Sequence, residues 1–266
     1  MDAANDPLAC RIEAGVARLT LRRPAARNAL DLELLGALRG ALDTIAADPA
    51  ARAVVVAAAG PAFSAGHDLR EITRHRGDDD SGQRFYEETM ALCSEVMQRI
   101  TELPQPVIAA VEGVATAAGC QLVAACDLAV AGAQARFCTP GVAIGLFCST
   151  PAVALSRAVG RKAAMEMLLT GEMIDAEEAR RIGLVNRVVP AGEAEAEALR
   201  LASGIAARSA FAVQLGKRSF REQEGRPLGA AYACASRSMV ENVMARDAAE
   251  GISAFLQKRA PVWEDR

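Results

Sequence analysis

A chain of 266 residues, 52% hydrophobic and 24% charged, is long enough to bury a sizeable core and has the composition of an ordinary globular protein. Its formal net charge of −3 argues against nucleic acid or an anionic membrane surface as a partner, and no charge-free apolar run reaches the roughly 18–20 residues of a membrane span. Seven cysteines without a CxxC pair read as reduced thiols of a cytoplasmic protein, and two histidines, His67 and His75, outside any ligand cluster predict no metal site.

The N-terminal MDAANDPLAC has no basic stretch before an apolar one, so no secretory signal is expected. Residues 8–21 alternate on both sides of Ala14-Gly15 and predict a hairpin, ended by Arg22-Arg23-Pro24. Asp31 is placed to cap a helix running to about Ala47, with Leu32, Leu34, Leu35, Leu38, Leu42 and Ile45 forming one core-facing stripe. AVVVAA at 53–58 reads as a buried strand, stopped by Gly60-Pro61. Residues 85–103 read as an amphipathic helix. Two further apolar runs of strand length, 107–111 and 128–131, flank a helix-like stretch at 120–125. Helices are predicted at 156–169 and 175–182, and a short strand at 183–189. After Pro190 the pattern is wholly helical, about 193–207, 210–222, 229–245 and 248–258. That change predicts an α/β core over 1–200 and a helical region over 201–266.

Two stretches carry almost no side chain. Ser64-Ala65-Gly66 follows the strand run at 53–58, and VATAAG at 114–119 follows the run at 107–111. A bare backbone lets a ligand approach its N–H groups. Where a helix begins, those groups are unpaired and carry the positive end of the helix dipole. That is the form of an oxyanion hole. The same small residues at a strand–helix junction serve equally for close packing with no ligand.

Four motifs fall in a familiar order. Residues 104–149, PQPVIAAVEGVATAAGCQLVAACDLAVAGAQARFCTPGVAIGLFCS, resemble the signature region of the enoyl-CoA hydratase/isomerase (crotonase) family. FSAGHDLREI (63–72) resembles its first oxyanion segment, MLLTGEMIDAEEARRIGLVNRVVP (167–190) a later segment, and GISAFLQKRAPVW (251–263) its C-terminal one. The resemblance implies an α/β fold, a spiral of β-β-α units with a C-terminal helical trimerisation region. It implies a homotrimer or dimer of trimers and an acyl-CoA thioester ligand, with CoA entering as part of the substrate and no separate cofactor. The N–H groups of His67 and Ala118 are then the oxyanion donors. His67, Asp68, Leu69, Arg70, Ala118, Phe255 and Lys258 are the expected substrate contacts. Phe255 and Lys258 are expected near the CoA moiety, in some relatives that of the neighbouring subunit; Lys258-Arg259 equally suits a helix end. The His67 imidazole is either an acid or base in the cleft, or turned away while its backbone works.

Two positions depart from the family pattern. Hydration in that family uses a pair of glutamates, and the matching positions here are Gln121 and Gly141. An amide does not titrate and glycine has no side chain, so neither can transfer a proton. Residues 115–131, ATAAGCQLVAACDLAVA, and 137–168, FCTPGVAIGLFCSTPAVALSRAVGRKAAMEML, resemble one subgroup of the family, the enoyl-CoA hydratase domain-containing protein 3 type, which shares both departures. Residues 147–150, where other members carry carboxylates, are Phe147, Cys148, Ser149 and Thr150. Cys120 or Cys148 would be a nucleophile only with a stabilised thiolate. Asp68 and Asp127 read as structural, and Glu112 at a strand end is a further candidate. The charged stretch 70–84 is expected as a mobile segment over the mouth of the site, with Asp78, Asp79 and Asp80 in a solvated loop. Three functions compete: an acyl-CoA enzyme, nominally an enoyl-CoA hydratase or isomerase; a catalytically silent acyl-CoA-binding or regulatory protein; and a ligand-free structural subunit.

Overall fold

The computed structural model describes residues 6–266, so the reading of residues 1–5 as free of a secretory signal lies outside the described residues. β1 (Leu8–Glu13) and β2 (Val16–Leu21) form the predicted hairpin. Its turn residues Ala14 and Gly15 have φ of 47° and 83°, as a two-residue turn between right-twisted strands requires. α1 (Leu32–Ala47) begins where Asp31 accepts a hydrogen bond from the Leu34 N–H at 2.9 Å. It buries Leu34, Leu35, Leu38, Leu42 and Ile45, the predicted stripe less its first member.

β3 (Ala53–Ala58), β4 (Ala62–Ser64), α2 (Leu69–His75) and α3 (Gln83–Glu102) follow. The next two turns repeat the strand-strand-helix order: β5 (Val107–Val111), β6 (Val114–Thr116) and α4 (Ala118–Ala125), then β7 (Leu128–Gly132), β8 (Arg136–Cys138) and α5 (Ser149–Ala158). α6 (Arg161–Thr170), β9 (Ile174–Asp175), α7 (Ala176–Ile182) and β10 (Arg187–Val189) complete the spiral. The chain ends in α8 (Ala194–Ala206), α9 (Ala210–Gln223), α10 (Leu228–Met244) and α11 (Arg246–Leu256).

Two sheets share the strands alternately. One has the order β1-β2-β3-β5-β7-β10 and the other β4-β6-β8-β9. In the larger sheet β2, β3, β5, β7 and β10 run parallel and are covered on both faces, which is why the central strands read as unbroken apolar runs. Val54, Val56, Val107 and Ala109 enter the main core, while Val55, Ile108 and Val130 face the other way. There they meet Ala194, Ala198 and Ala202, spaced one turn apart on α8. α8 therefore continues across residue 200 as part of the sheet packing, and the helices that stand off the sheet begin with α9.

Two expectations are corrected. The stretch 70–84, for which no regular element was expected, is helical over 69–75, because Asp68 Oδ1 accepts from the N–H groups of Arg70 and Glu71 and starts α2. Capping, rather than apolar content, makes this helix. The helix expected at 156–169 is two, since Val159 is extended and Gly160 is the extended cap that starts α6.

The smaller sheet positions the candidate site. β4, β6 and β8 are adjacent and parallel, so the chain leaves all three at the same edge. β4 is held in place from outside by Asn28, which is fully buried with φ 51°. Its Oδ1 accepts from the Arg23 N–H at 2.8 Å, and its Nδ2 donates to the carbonyls of Ala59 and Ala62 at 2.9 and 2.8 Å. Asn28→Ala removes three hydrogen bonds and leaves buried groups unpaired, and is expected to lower stability by about 3 kcal/mol, read from the urea midpoint.

Candidate active site

The parallel pairing of β4 with β6 brings the two bare segments side by side. On leaving β4, the chain forms a bridge with Leu30: the Leu30 N–H donates to Gly66 O at 2.8 Å and the Asp68 N–H to Leu30 O at 3.4 Å. His67 lies between these two bonds, so its own N–H points to the opposite edge. On leaving β6, the Ala117 N–H bonds to Cys138 O at 3.0 Å and Ala117 takes φ 48°, ψ −117°, a strained conformation costing about 1–3 kcal/mol. It turns the chain directly into α4. The first N–H bonded back into that helix is that of Gln121, to Ala117 O at 3.0 Å. The N–H of Ala118 is therefore one of the unpaired groups at the helix start. Among the described residues neither the His67 nor the Ala118 N–H has a hydrogen-bond partner.

Glycine is demanded at the contact between the segments. A Cβ on Gly66 would lie 2.9 Å from Ala117 Cβ and 3.2 Å from Ala118 N, and φ there is 82°. A Cβ on Gly119 would lie 2.4 Å from Ser64 O. Close packing and an open pair of amides are thus the same feature.

The His67 side chain is turned inward. Nδ1 lies 3.4 Å from Leu30 O, and Nε2 is buried with no partner. Burial pushes the imidazole below its ordinary pKa, against the opposing pull of the Leu30 carbonyl. The neutral ring with Nδ1–H directed at Leu30 O is the consistent tautomer, leaving Nε2 enclosed. Leu69 and Arg70 are exposed in the first turn of α2, beside the junction, while Asp68 caps that helix. Phe255, 82% exposed, and Lys258 lie at the far end of α11, which packs on α9 and α10.

Gln121 is one turn along α4 from Ala118 and is buried, with Oε1 unpartnered. It lines a cavity of about 410 Å³ with Met97, Thr101, Thr150 and Val153. Gly141 leaves β8 at the same sheet edge, where a side chain would be crowded. A Cβ would lie 2.9 Å from Cys148 Sγ and 3.0 Å from Leu146 O.

The remaining candidates have other duties. Glu112 Oε1 accepts from the N–H groups of Gly192 and Ala194, each at 3.0 Å, and so caps α8. Asp127 accepts from the Val107 N–H at 2.7 Å and from Lys217 at 2.6 Å. Burial raises its pKa against the pull of Lys217 and lowers that of Lys217. Lys217 also donates to the carbonyls of Ile100 and Gln105, pinning α9 to the core. Burial raises the thiols of Cys120 and Cys148, and pushes that of Cys138 up to about 11, so none is a thiolate at neutral pH. Asp78 pairs with His75 at 2.7 Å, and no group of three His, Cys, Asp or Glu able to hold a metal occurs among the described residues. A second cavity, about 560 Å³, is lined by Asp127, Lys217, Arg157 and Arg221 and holds none of the expected site residues. Those two arginines have no sequence signal, since they stand 64 residues apart and only the fold joins them.

Comparison with known proteins agrees with this architecture. The enoyl-CoA hydratase/isomerase family profile matches residues 11–266. The rat protein named enoyl-CoA hydratase domain-containing protein 3, mitochondrial, is 49% identical over 95% of this chain and 83% of its own length. The crystal structure of its human namesake is 47% identical with a TM-score of 0.92, covering 97% of this chain and 100% of that one. A crystal structure titled enoyl-CoA hydratase, from Mycobacterium smegmatis, is 51% identical with a TM-score of 0.91, covering 97% and 98%. No helix among the described residues is long and apolar enough to cross a membrane.

Two outcomes follow from the packing. Gly141→Glu, which would write a glutamate into the altered position, is expected to cost about 1–3 kcal/mol by overpacking against Cys148 and Leu146, seen as a lower urea midpoint. The depressed His67 pKa means that the unfolded chain binds a proton that the folded chain does not, once the pH falls below about 6.5. Stability is expected to fall as the pH drops through that value, and His67→Gln to remove this part of the slope in urea midpoints measured across it.

Proposed function

This chain belongs to the enoyl-CoA hydratase/isomerase family, and we propose that it binds acyl-CoA thioesters through the backbone N–H groups of His67 and Ala118. The observation that carries this reading is the junction of the two bare segments, where both amides lack partners and two glycines permit the approach. A thioester oxygen seated there accepts two hydrogen bonds and lies at the positive end of α4. Each donor is worth about 3–4 kcal/mol once negative charge builds on that oxygen as an enolate forms. Asp68 orients α2, and Leu69 and Arg70 form the rim along which the CoA portion passes, with Arg70 supplying a cation for its phosphates. CoA is part of the ligand, and no separate cofactor is needed.

The proton chemistry of hydration is another matter. Gln121 can hold a water or a substrate oxygen by hydrogen bonds but moves no proton. Gly141 offers nothing, and Cys148 closes the space above it. Each carboxylate so replaced contributes about 10²–10⁴-fold. Lyase or isomerase remains the family's reaction class, in fatty acid metabolism, but hydratase turnover here is expected to be low. A second reading, a catalytically silent acyl-CoA-binding or regulatory protein, is favoured by the Gly141–Cys148 contact. The seven unpaired cysteines support a reducing compartment, in our reading the cytoplasm.

Subunit association belongs to the same proposal. α10 and α11 expose Tyr232, Val240, Met244, Phe255 and Leu256 by 63–82%, more apolar surface than a monomer leaves open without a partner. Burying these faces against two other copies places Phe255 and Lys258 beside a neighbour's ligand. Light scattering is expected to give three or six times the chain mass of 27.9 kDa, and Val240→Asp with Met244→Asp to give monomers.

Ala118→Pro tests the donor itself. Proline suits the first position of a helix but has no N–H. In calorimetric titration the wild type is expected to bind octanoyl-CoA. The variant, shown folded by circular dichroism, is expected to bind at least tenfold more weakly; undiminished affinity would remove the hole from the account.

A further inference from the structure

We propose that the cavity between α3, α4, α5 and α9 is a second recognition site, taking an anionic group, a carboxylate, at the far end of the acyl chain. It rests on the acyl-CoA reading and narrows it to chains that end in a carboxylate. The cavity, about 410 Å³, has both an apolar and a cationic part. Met97, Val153 and Ala125 line it beside Gln121, and Arg157 and Arg221 line it too. Both arginines also line the adjoining 560 Å³ cavity, so they stand where the two meet.

Among the described residues neither guanidinium has a close carboxylate partner. Arg157 Nη1 donates to Val153 O, a bond to its own helix, and has no carboxylate partner among the described residues. Arg221 has only Glu102, at 3.9 Å with Glu102 62% exposed, a contact worth little in water. Glu102 is the one carboxylate lining this cavity, and the adjoining one adds Lys217, Asp127 and Glu224, of which Lys217 and Asp127 pair with each other at 2.6 Å, so the cation that keeps no carboxylate partner among the described residues is Arg157. Guanidinium matches a carboxylate with two parallel hydrogen bonds.

Gln121 links this cavity to the thioester junction. It follows Ala118 by one turn on α4, lines the cavity, is 97% buried by its 3% exposure, and keeps Oε1 without a partner. Oε1 is an acceptor, so a donor such as a water beside the passing chain, and not the ligand's carboxylate, completes it. From Ala118 to Ala125, the last lining residue of α4, the helix rises roughly 10 Å. That distance suits a medium-length chain carried from the junction past Gln121 to the arginines.

The test compares octanoyl-CoA with suberyl-CoA, chains of equal length that differ in the terminal carboxylate. Calorimetric titration of the whole protein is expected to show suberyl-CoA binding about ten- to hundredfold more tightly. Arg157→Gln changes an exposed side chain and Arg221→Gln a half-buried one, and each is expected to erase most of that preference while octanoyl-CoA affinity stays the same. Equal affinity for the two esters in the wild type, or a preference that survives both substitutions, overturns the proposal and leaves the thioester site standing. Failure of both esters to bind overturns the acyl-CoA reading and the proposal with it.

Discussion

The parallel pairing of β4 with β6 is the contact on which the rest of the molecule depends. Each strand has three residues and contributes little by itself. Together they deliver two stretches of nearly bare backbone to one point, where Gly119 lies against Ser64 and Gly66 against Ala117. Asn28 fastens one segment from outside, and Cys138 of the next strand holds the other through Ala117. The strain at Ala117 is borne because that bond and the start of α4 over-determine it.

A site made of backbone amides has a consequence for the family. Side chains around it can change without altering the donors themselves. Gln121 and Gly141 illustrate this, since neither contributes a side chain to the path of the chain through the junction. At Gly141 the change is also structural: the thiol of Cys148 occupies the space, and Leu146 donates its N–H to Gly141 O at 2.9 Å. The position has been built over rather than left vacant. On the proposed reading, binding rests on main-chain donors and proton transfer on side chains, so the two would be separable in this fold.

Much of this was legible in the sequence where local physics decides. The Asp31 cap, the alternation around Ala14-Gly15 and the apolar runs at 53–58, 107–111 and 128–131 all give elements where they were expected. The small residues of VATAAG marked the junction. What local pattern could not show was β4, β6, β8 and β9, because strands of two or three residues exist only by their pairing. α2 was missed because its start rests on one carboxylate, Asp68, in a run of charges. The Asp127–Lys217 pair and the meeting of Arg157 with Arg221 depend on α9 returning to the core, which no periodicity encodes. The inward turn of His67 is likewise tertiary, since it is Leu30 that receives the ring.

The central claim is that acyl-CoA recognition survives here without the carboxylate pair. It is tested most directly by following the enoyl-thioester absorbance of crotonyl-CoA at a concentration that saturates the protein by calorimetry. The account requires saturation with hydration at least about 10⁴-fold slower than a two-carboxylate hydratase supports. Hydration at an ordinary enzymatic rate would contradict it, because a proton carrier would then have to act from outside positions 121 and 141.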